Sequence, residues 1–167
     1  MPGPVWLQGP IAGVPALLQP VAHALVEADE DVQALVPSLS IEEVWARPNG
    51  VASVGYHVRH AAGSLDRLFT YARGESLNAW QLETLAAEKL MDRDTATARE
   101  LAADFSGAVE RALAQLRATS ERDLLAPREV GRGRLPSNVI GLLVHAGDHT
   151  YRHVGQAITT AKVVKGA

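Results

Sequence analysis

The sequence predicts an all-α protein, a four-helix bundle of the up-down type with short additional helices in the connections. Four segments carry apolar residues every three or four positions, which is the spacing of one helix face. No run of alternating β-branched residues is long enough to predict a strand. Hydrophobic residues make up 47% of the 167 positions, enough for one sizeable core, so we expect residues 1–167 to form a single domain.

The first predicted helix covers residues 20–36 and has a proline in its opening turn, where a missing N–H costs little. Its apolar stripe consists of Val21, Leu25, Ala28, Val32 and Leu35. Pro37 ends the helix. We expect Ser40 to cap a short helix with the sequence SIEEVWA, which the turn RPNG closes.

The second long helix is predicted over residues 52–73, with Gly74 just past its end as the residue that reverses the chain. Its apolar face consists of Val54, Val58, Ala61, Leu65, Leu68 and Ala72. A less regular helical piece follows, with the sequence LNAWQLETLAAEKL. This piece is one of the expected additional helices.

The third long helix is predicted to begin near Asp94 or Thr95 and to end near Thr119, with Glu100 stabilising its first turns. A connection rich in turn residues follows, SERDLLAPREVGRGRLPSN. The last helix is expected from about Ser137 to Val163.

Composition excludes several classes of protein. The formal net charge is −3, and the basic residues are scattered, so the stripe of positive charge typical of nucleic-acid binders is missing. With no cysteine, a disulfide framework, a zinc ribbon and a cysteine nucleophile are excluded, which leaves His, Asp and Glu as metal ligands. The N-terminus lacks the features of a signal peptide, and no stretch reaches the length of a membrane span. We therefore expect a cytoplasmic protein that binds neither nucleic acid nor membrane.

Three of the six histidines, His145, His149 and His153, follow one another at intervals of four. Residues four apart share one helix face and lie about 6 Å apart along the axis. Two such imidazoles can reach one ion, since metal–nitrogen bonds are about 2.0–2.1 Å long. The outer two, about 12 Å apart, cannot both do so easily. The last helix should supply two ligands, and another helix must supply the rest.

A helical wheel selects the pair. The apolar face of the last helix consists of Leu143, Ala146, Val154, Ala157, Ile158 and Ala161. His149 and His153 fall at the edge of this face, whereas His145 falls closer to the charged side. The wheel therefore favours His149 and His153 as the inward pair and places His145 at the rim.

The second helix offers His57 and His60 as the facing ligand. His57 lies nearer the apolar centre, so the wheel by itself prefers it, but both histidines lie on the half of the helix that can face a cleft. Periodicity leaves this choice open. The H-E-x-x-H and E-x-x-H motifs are absent, which disfavours a zincin site and a di-iron carboxylate site.

At these residues the chain resembles the DinB/YfiT-like superfamily of helical-bundle metalloenzymes. One likeness is the histidine-bearing stretch SVGYHVRHAAGSLDRL, and the other is the H-x-x-x-H that runs into HVGQ. The resemblance implies that His60, rather than His57, joins His149 and His153 as a ligand. It also implies a divalent metal, zinc, nickel, manganese or iron, held by these three histidines.

The resemblance implies an activity as well, because characterised members are S-transferases that use low-molecular-weight thiols such as bacillithiol, or mycothiol-dependent isomerases. A three-histidine site has no ligand charge, so the ion stays a strong Lewis acid with an open position. A thiol cosubstrate bound there would become a nucleophile near neutral pH, and an electrophilic small molecule would accept its sulfur. The absence of cysteine is consistent with this chemistry.

A second interpretation is a non-enzymatic helical bundle, a homodimer whose histidines are structural or bind a small ligand without turnover. A lone histidine on an apolar face is usually buried with a hydrogen-bond partner, and His23 is interpreted in this way. The two interpretations differ in whether the protein depends on a bound metal ion.

Overall fold

The computed structural model describes residues 3–88 and 95–166, and helices dominate it. The helices are α1 (Gln19–Leu35), α2 (Ile41–Trp45), α3 (Val54–Ala72), α4 (Ala79–Ala87), α5 (Ala98–Ala118) and α6 (Val139–Lys165). One antiparallel hairpin, β1 (Pro127–Val130) with β2 (Leu135–Asn138), precedes α6. The predicted all-α class is confirmed. Within the described ranges, no helix is long and apolar enough to cross a membrane.

Each of the four long helices packs against two of the others, which forms a four-helix arrangement. The helix α3 packs against α5 and α6, and α1 packs against the same two helices. The successive long helices α1 and α3 therefore lie diagonally opposite each other in the bundle. The chain segment that joins them contains α2. The close packing of α3 against α6 brings the second and last predicted helices together, as the histidine pattern requires.

Each long helix contributes at least one fully buried apolar side chain to the core. Leu25 of α1, Val58 of α3, Phe105 of α5 and Leu143 of α6 are all inaccessible to solvent. Burying a side chain of this size stabilises the fold by about 1.5–3 kcal/mol relative to leaving it exposed. The predicted apolar stripes therefore face one common core.

Side-chain caps decide where the helices begin. The predicted cap of α2 is confirmed, because the Ser40 hydroxyl accepts the N–H of Glu43 while the Glu43 carboxylate accepts the N–H of Ser40. The cap of α5 differs from the expected Asp94 or Thr95: Asp94 lies outside the described residues, and Thr95 precedes the helix. The cap is Thr97, since the Glu100 carboxylate accepts its N–H at 2.8 Å across the three-residue spacing of a capping box.

The hairpin is an element that the sequence did not predict. Its register pairs Pro127 with Asn138 and Val130 with Leu135. Each strand has only four residues, and both contain proline, so the sequence carries no alternation long enough to reveal them. Asn138 is the last residue of β2. Its side chain caps α6 by accepting the N–H of Gly141 at 2.8 Å. The helix α6 therefore begins slightly later than predicted.

The end of α3 is anchored as the sequence indicates. Gly74 has a φ of +80°, which glycine adopts without strain, and its N–H donates to the carbonyl of Tyr71 at 2.9 Å. The Arg128 guanidinium of the hairpin donates to the carbonyl of Ala72 at 2.7 Å. The hairpin therefore satisfies a helix-end carbonyl and ties the C-terminal end of α3 in place.

Candidate metal centre

The facing sides of α3 and α6 bring together His60, His149 and His153. One ring nitrogen from each residue lies within 4.8 Å of the others. The ring centroid of His60 is 5.2 Å from that of His149 and 4.5 Å from that of His153. All three side chains are partly buried. The structure thus gathers the same three histidines that the family resemblance implied.

The pair on α6 is a direct product of helix geometry. His149 and His153 are four residues apart, and their ring centroids are 4.6 Å apart. His145, one turn earlier, is exposed, and its ring centroid lies 5.5 Å from that of His149. His145 therefore lies outside the cluster of three, at its rim, as the helical wheel predicted.

A buried carboxylate holds His60 from behind. The Nδ1 atom of His60 donates to Oε2 of Glu88 at 2.7 Å, and the Arg67 guanidinium donates to Oε1 of the same carboxylate at 2.7 Å. Burial raises the pKa of Glu88, but the hydrogen bonds from His60 and Arg67 outweigh it, so the pKa is lowered overall and the carboxylate is ionised. In a neutral His60 ring this contact places the proton on Nδ1, so that Nε2 is the nitrogen with the lone pair.

His57 supports His153 in a similar way. Their Nδ1 atoms are 3.0 Å apart, so one donates a hydrogen bond and the other accepts it. His57 is the more deeply buried partner, with 7% of its surface exposed. The wheel was thus right to place His57 near the apolar centre, but the structure places it behind His153 rather than in the cluster of three. With the shared proton on His153, the Nε2 atom of His153 is free to bind an ion.

Tyr56 forms an aromatic wall beside the cluster. Its ring is parallel to that of His60 within 3°, with 5.5 Å between centroids, and it contacts His57 edge-on. This packing restricts rotation of the His60 ring. Sequence reasoning missed Tyr56, Glu88 and Arg67, because none of them belongs to a histidine motif and Glu88 is 28 residues from His60.

Burial lowers the pKa of three imidazoles at this centre, those of His57, His149 and His153. Burial, followed by the charges of His60 and His149, lowers the pKa of His153 from its ordinary value of 6.5 to about 4. Burial and then the charge of His60 also lower the pKa of His57 and of His149. Neutral imidazole is the form that binds a metal, because its lone pair is available.

The donor set fits a divalent ion. His60 and His153 each use Nδ1 in a hydrogen bond and keep Nε2 available, while Nδ1 of His149 is buried without a hydrogen-bond partner. A buried polar atom without a partner is costly, and an ion bound through it would remove that cost. Two nitrogens on one ion lie at most about 4.2 Å apart, and the three ring nitrogens lie within 4.8 Å of one another.

Two polar contacts outside the cluster have a structural role. Nε2 of His23 lies 2.9 Å from the carbonyl oxygen of Gly9, the satisfied contact expected of a lone histidine. Asp148 and Arg152 form an exposed ion pair one turn apart on α6. Exposed pairs of this kind contribute little to stability.

Comparison with known proteins identifies the family. A solved structure described as the conserved protein of locus from Enterococcus faecalis matches with a TM-score of 0.68 at 21% sequence identity, covering 90% of this chain and 98% of that chain. This likeness concerns the fold alone. A search among curated proteins gives no match. The family model of the DinB superfamily matches residues 24–157, a range that includes all three clustered histidines. The chain therefore belongs to the DinB superfamily.

Proposed function

We propose that this protein is a metal-dependent enzyme in which His60, His149 and His153 hold one divalent ion: zinc, nickel, manganese or iron. The observation that carries the proposal is the approach of three histidine ring nitrogens from two helices to within 4.8 Å of one another. Metal binding is frequent in the DinB superfamily, which supports it further.

An ion held by His60, His149 and His153 would supply a Lewis acid able to lower the pKa of a thiol cosubstrate. The chain's own residues prepare that site. Glu88 orients His60 and accepts from its Nδ1, and His57 orients the His153 ring through the contact between their Nδ1 atoms. Arg67 keeps the Glu88 carboxylate ionised and in place.

We propose transfer of sulfur from a low-molecular-weight thiol, of the bacillithiol type, to a small electrophile. The thiol proton leaves, the sulfur electron pair forms a bond to the electrophilic carbon, and the leaving group takes the electron pair of the bond that breaks. The chain has no cysteine to act as the nucleophile itself, so the sulfur must come from a cosubstrate. A cytoplasmic location, where such thiols are abundant, belongs to this proposal.

Elemental analysis of untagged protein tests the metal assignment. The protein is measured as purified and after separate dialysis against zinc, nickel and manganese. We expect close to one ion per chain, and loss of that ion in His60→Ala, His149→Ala and His153→Ala. His23→Ala is the matched control, because it removes a histidine outside the cluster, and it should retain the ion.

The rival interpretation makes opposite predictions for the same samples. If the histidines are structural, His149→Ala lowers the melting temperature while a strong chelator leaves the wild type unchanged. Full metal occupancy in His149→Ala would contradict the ligand assignment. Absence of bound metal after all three dialyses would favour a binding or structural protein.

A further inference from the structure

A second cavity lies between α3, α4 and α5, apart from the histidine cluster. Its volume is about 660 Å³, within the range of small-molecule sites. None of the three clustered histidines is among the described residues that line it. Arg67 and Glu88, which support His60, also line the cavity.

The walls are small and apolar along two helices. The helices α3 and α5 present Ala62 and Gly63 on one side and Ala103, Gly107 and Ala108 on the other. On α4, Trp80 borders the same cavity with 63% of its surface exposed. An exposed indole beside an apolar wall offers a large surface for packing against a flat ring.

Most of the charged groups in this cavity already have partners. Arg67 is paired with Glu88 at 2.7 Å, and the carboxylate of Asp66 accepts a hydrogen bond from Gln81 at 2.6 Å. The charge of Asp104 acts on Arg59. These contacts leave little unbalanced charge on α3.

Arg111 differs from the other two arginines of the cavity. Across residues 3–88 and 95–166, its guanidinium has no hydrogen bond or ion pair. Its Nη1 atom lies over Gly107, 3.3 Å from the place where a Cβ would sit, so the guanidinium lies along the cavity wall. An unpaired guanidinium beside an apolar cavity is suited to a carboxylate, which it can bind through two parallel hydrogen bonds.

We propose that this cavity binds a small aromatic carboxylate, with the carboxylate on Arg111 and the ring between Trp80 and the small residues of α3 and α5. The site is separate from the proposed metal chemistry, and its occupancy does not depend on a bound ion. The class of ligand follows from Arg111, which has no hydrogen bond or ion pair among the described residues, and from the flat apolar wall beside it.

Calorimetric titration of the protein as purified tests this proposal with 2-naphthoate and its neutral counterpart 2-naphthamide. We expect saturable binding of one naphthoate per chain and affinity for the amide about tenfold lower, because only the carboxylate forms a charge-assisted pair. Arg111→Ala should reduce naphthoate affinity about tenfold and leave amide affinity nearly unchanged. Ala103→Leu, at an exposed position of the wall, should weaken both ligands by filling the cavity.

Arg99→Ala is the matched control, since Arg99 is an exposed arginine of α5 outside the cavity. It should bind naphthoate as the wild type does. The proposal is overturned by any of three results: no saturable binding to the wild type, equal affinity for acid and amide, or equal losses in Arg99→Ala and Arg111→Ala. Arg111 and Arg99 are both exposed, so neither variant should fail to fold, and thermal melts verify this.

Discussion

The Nδ1 atom of His60 lies 2.7 Å from Oε2 of Glu88, which leaves Nε2 as the atom of His60 that can bind an ion. Carboxylates in this position orient a ligating histidine and increase its basicity. Because Arg67 holds the other carboxylate oxygen, His60 is tied to a buried ion pair rather than to a mobile surface group.

Glu88→Gln should lower metal affinity about 10- to 100-fold without unfolding the protein, because an amide cannot accept from His60 and Arg67 as strongly as a carboxylate. Competition with a chelator of known affinity measures the change. Glu83→Gln, an exposed substitution on α4, whose last residue directly precedes Glu88, is the control and should bind metal as the wild type does. Equal affinities in all three proteins would show that Glu88 does not support the site.

His57→Phe should weaken metal retention by about tenfold, whereas His153→Ala should abolish stoichiometric binding. Phenylalanine keeps an aromatic ring at the buried position but cannot accept the hydrogen bond of His153. Metal content after stepwise dialysis against a chelator distinguishes the two variants. Complete loss in His57→Phe together with full retention in His60→Ala would make His57 the ligand and contradict the assignment.

The metal-free protein should lose stability in mild acid. The pKa of His153 is lowered from 6.5 to about 4, so between these pH values the unfolded state binds more protons than the folded state. The free energy that this group contributes is fully present above pH 6.5 and falls as the pH drops toward 4. Thermal melts of chelated protein across this window should show a decreasing melting temperature. The decrease should be smaller in His153→Asn, and an equal slope would argue against the buried neutral imidazole.

Replacing each of two helical glycines by alanine should change the stability of the fold in opposite directions. A Cβ on Gly55 would sit 2.7 Å from the Trp45 ring, whereas one on Gly155 would meet nothing within 4 Å. Gly155→Ala should stabilise the fold by about 0.5–1 kcal/mol through helix propensity. Gly55→Ala should destabilise it by about 1–3 kcal/mol, because overpacking exceeds that gain. Denaturant unfolding of the two variants measures the difference, and stabilisation by both would show that Trp45 can move aside.

The sequence by itself determined the helical class, the approximate helix bounds and the shared face of His149 and His153. These features are local, since they depend on residues three or four positions apart and on caps such as Ser40. The choice of His60 came from family resemblance, because the wheel favoured His57.

Only the tertiary structure decided what meets the histidines from elsewhere in the chain. The contact of Glu88 with His60, the pairing of His57 with His153 and the position of Arg111 in the cavity wall depend on how the helices rotate and pack against one another. The hairpin was equally hidden, because its four-residue strands become strands only by pairing with each other. Helix periodicity fixes which face of a helix is apolar, but side chains far apart in sequence meet only when packing sets the relative positions of their helices.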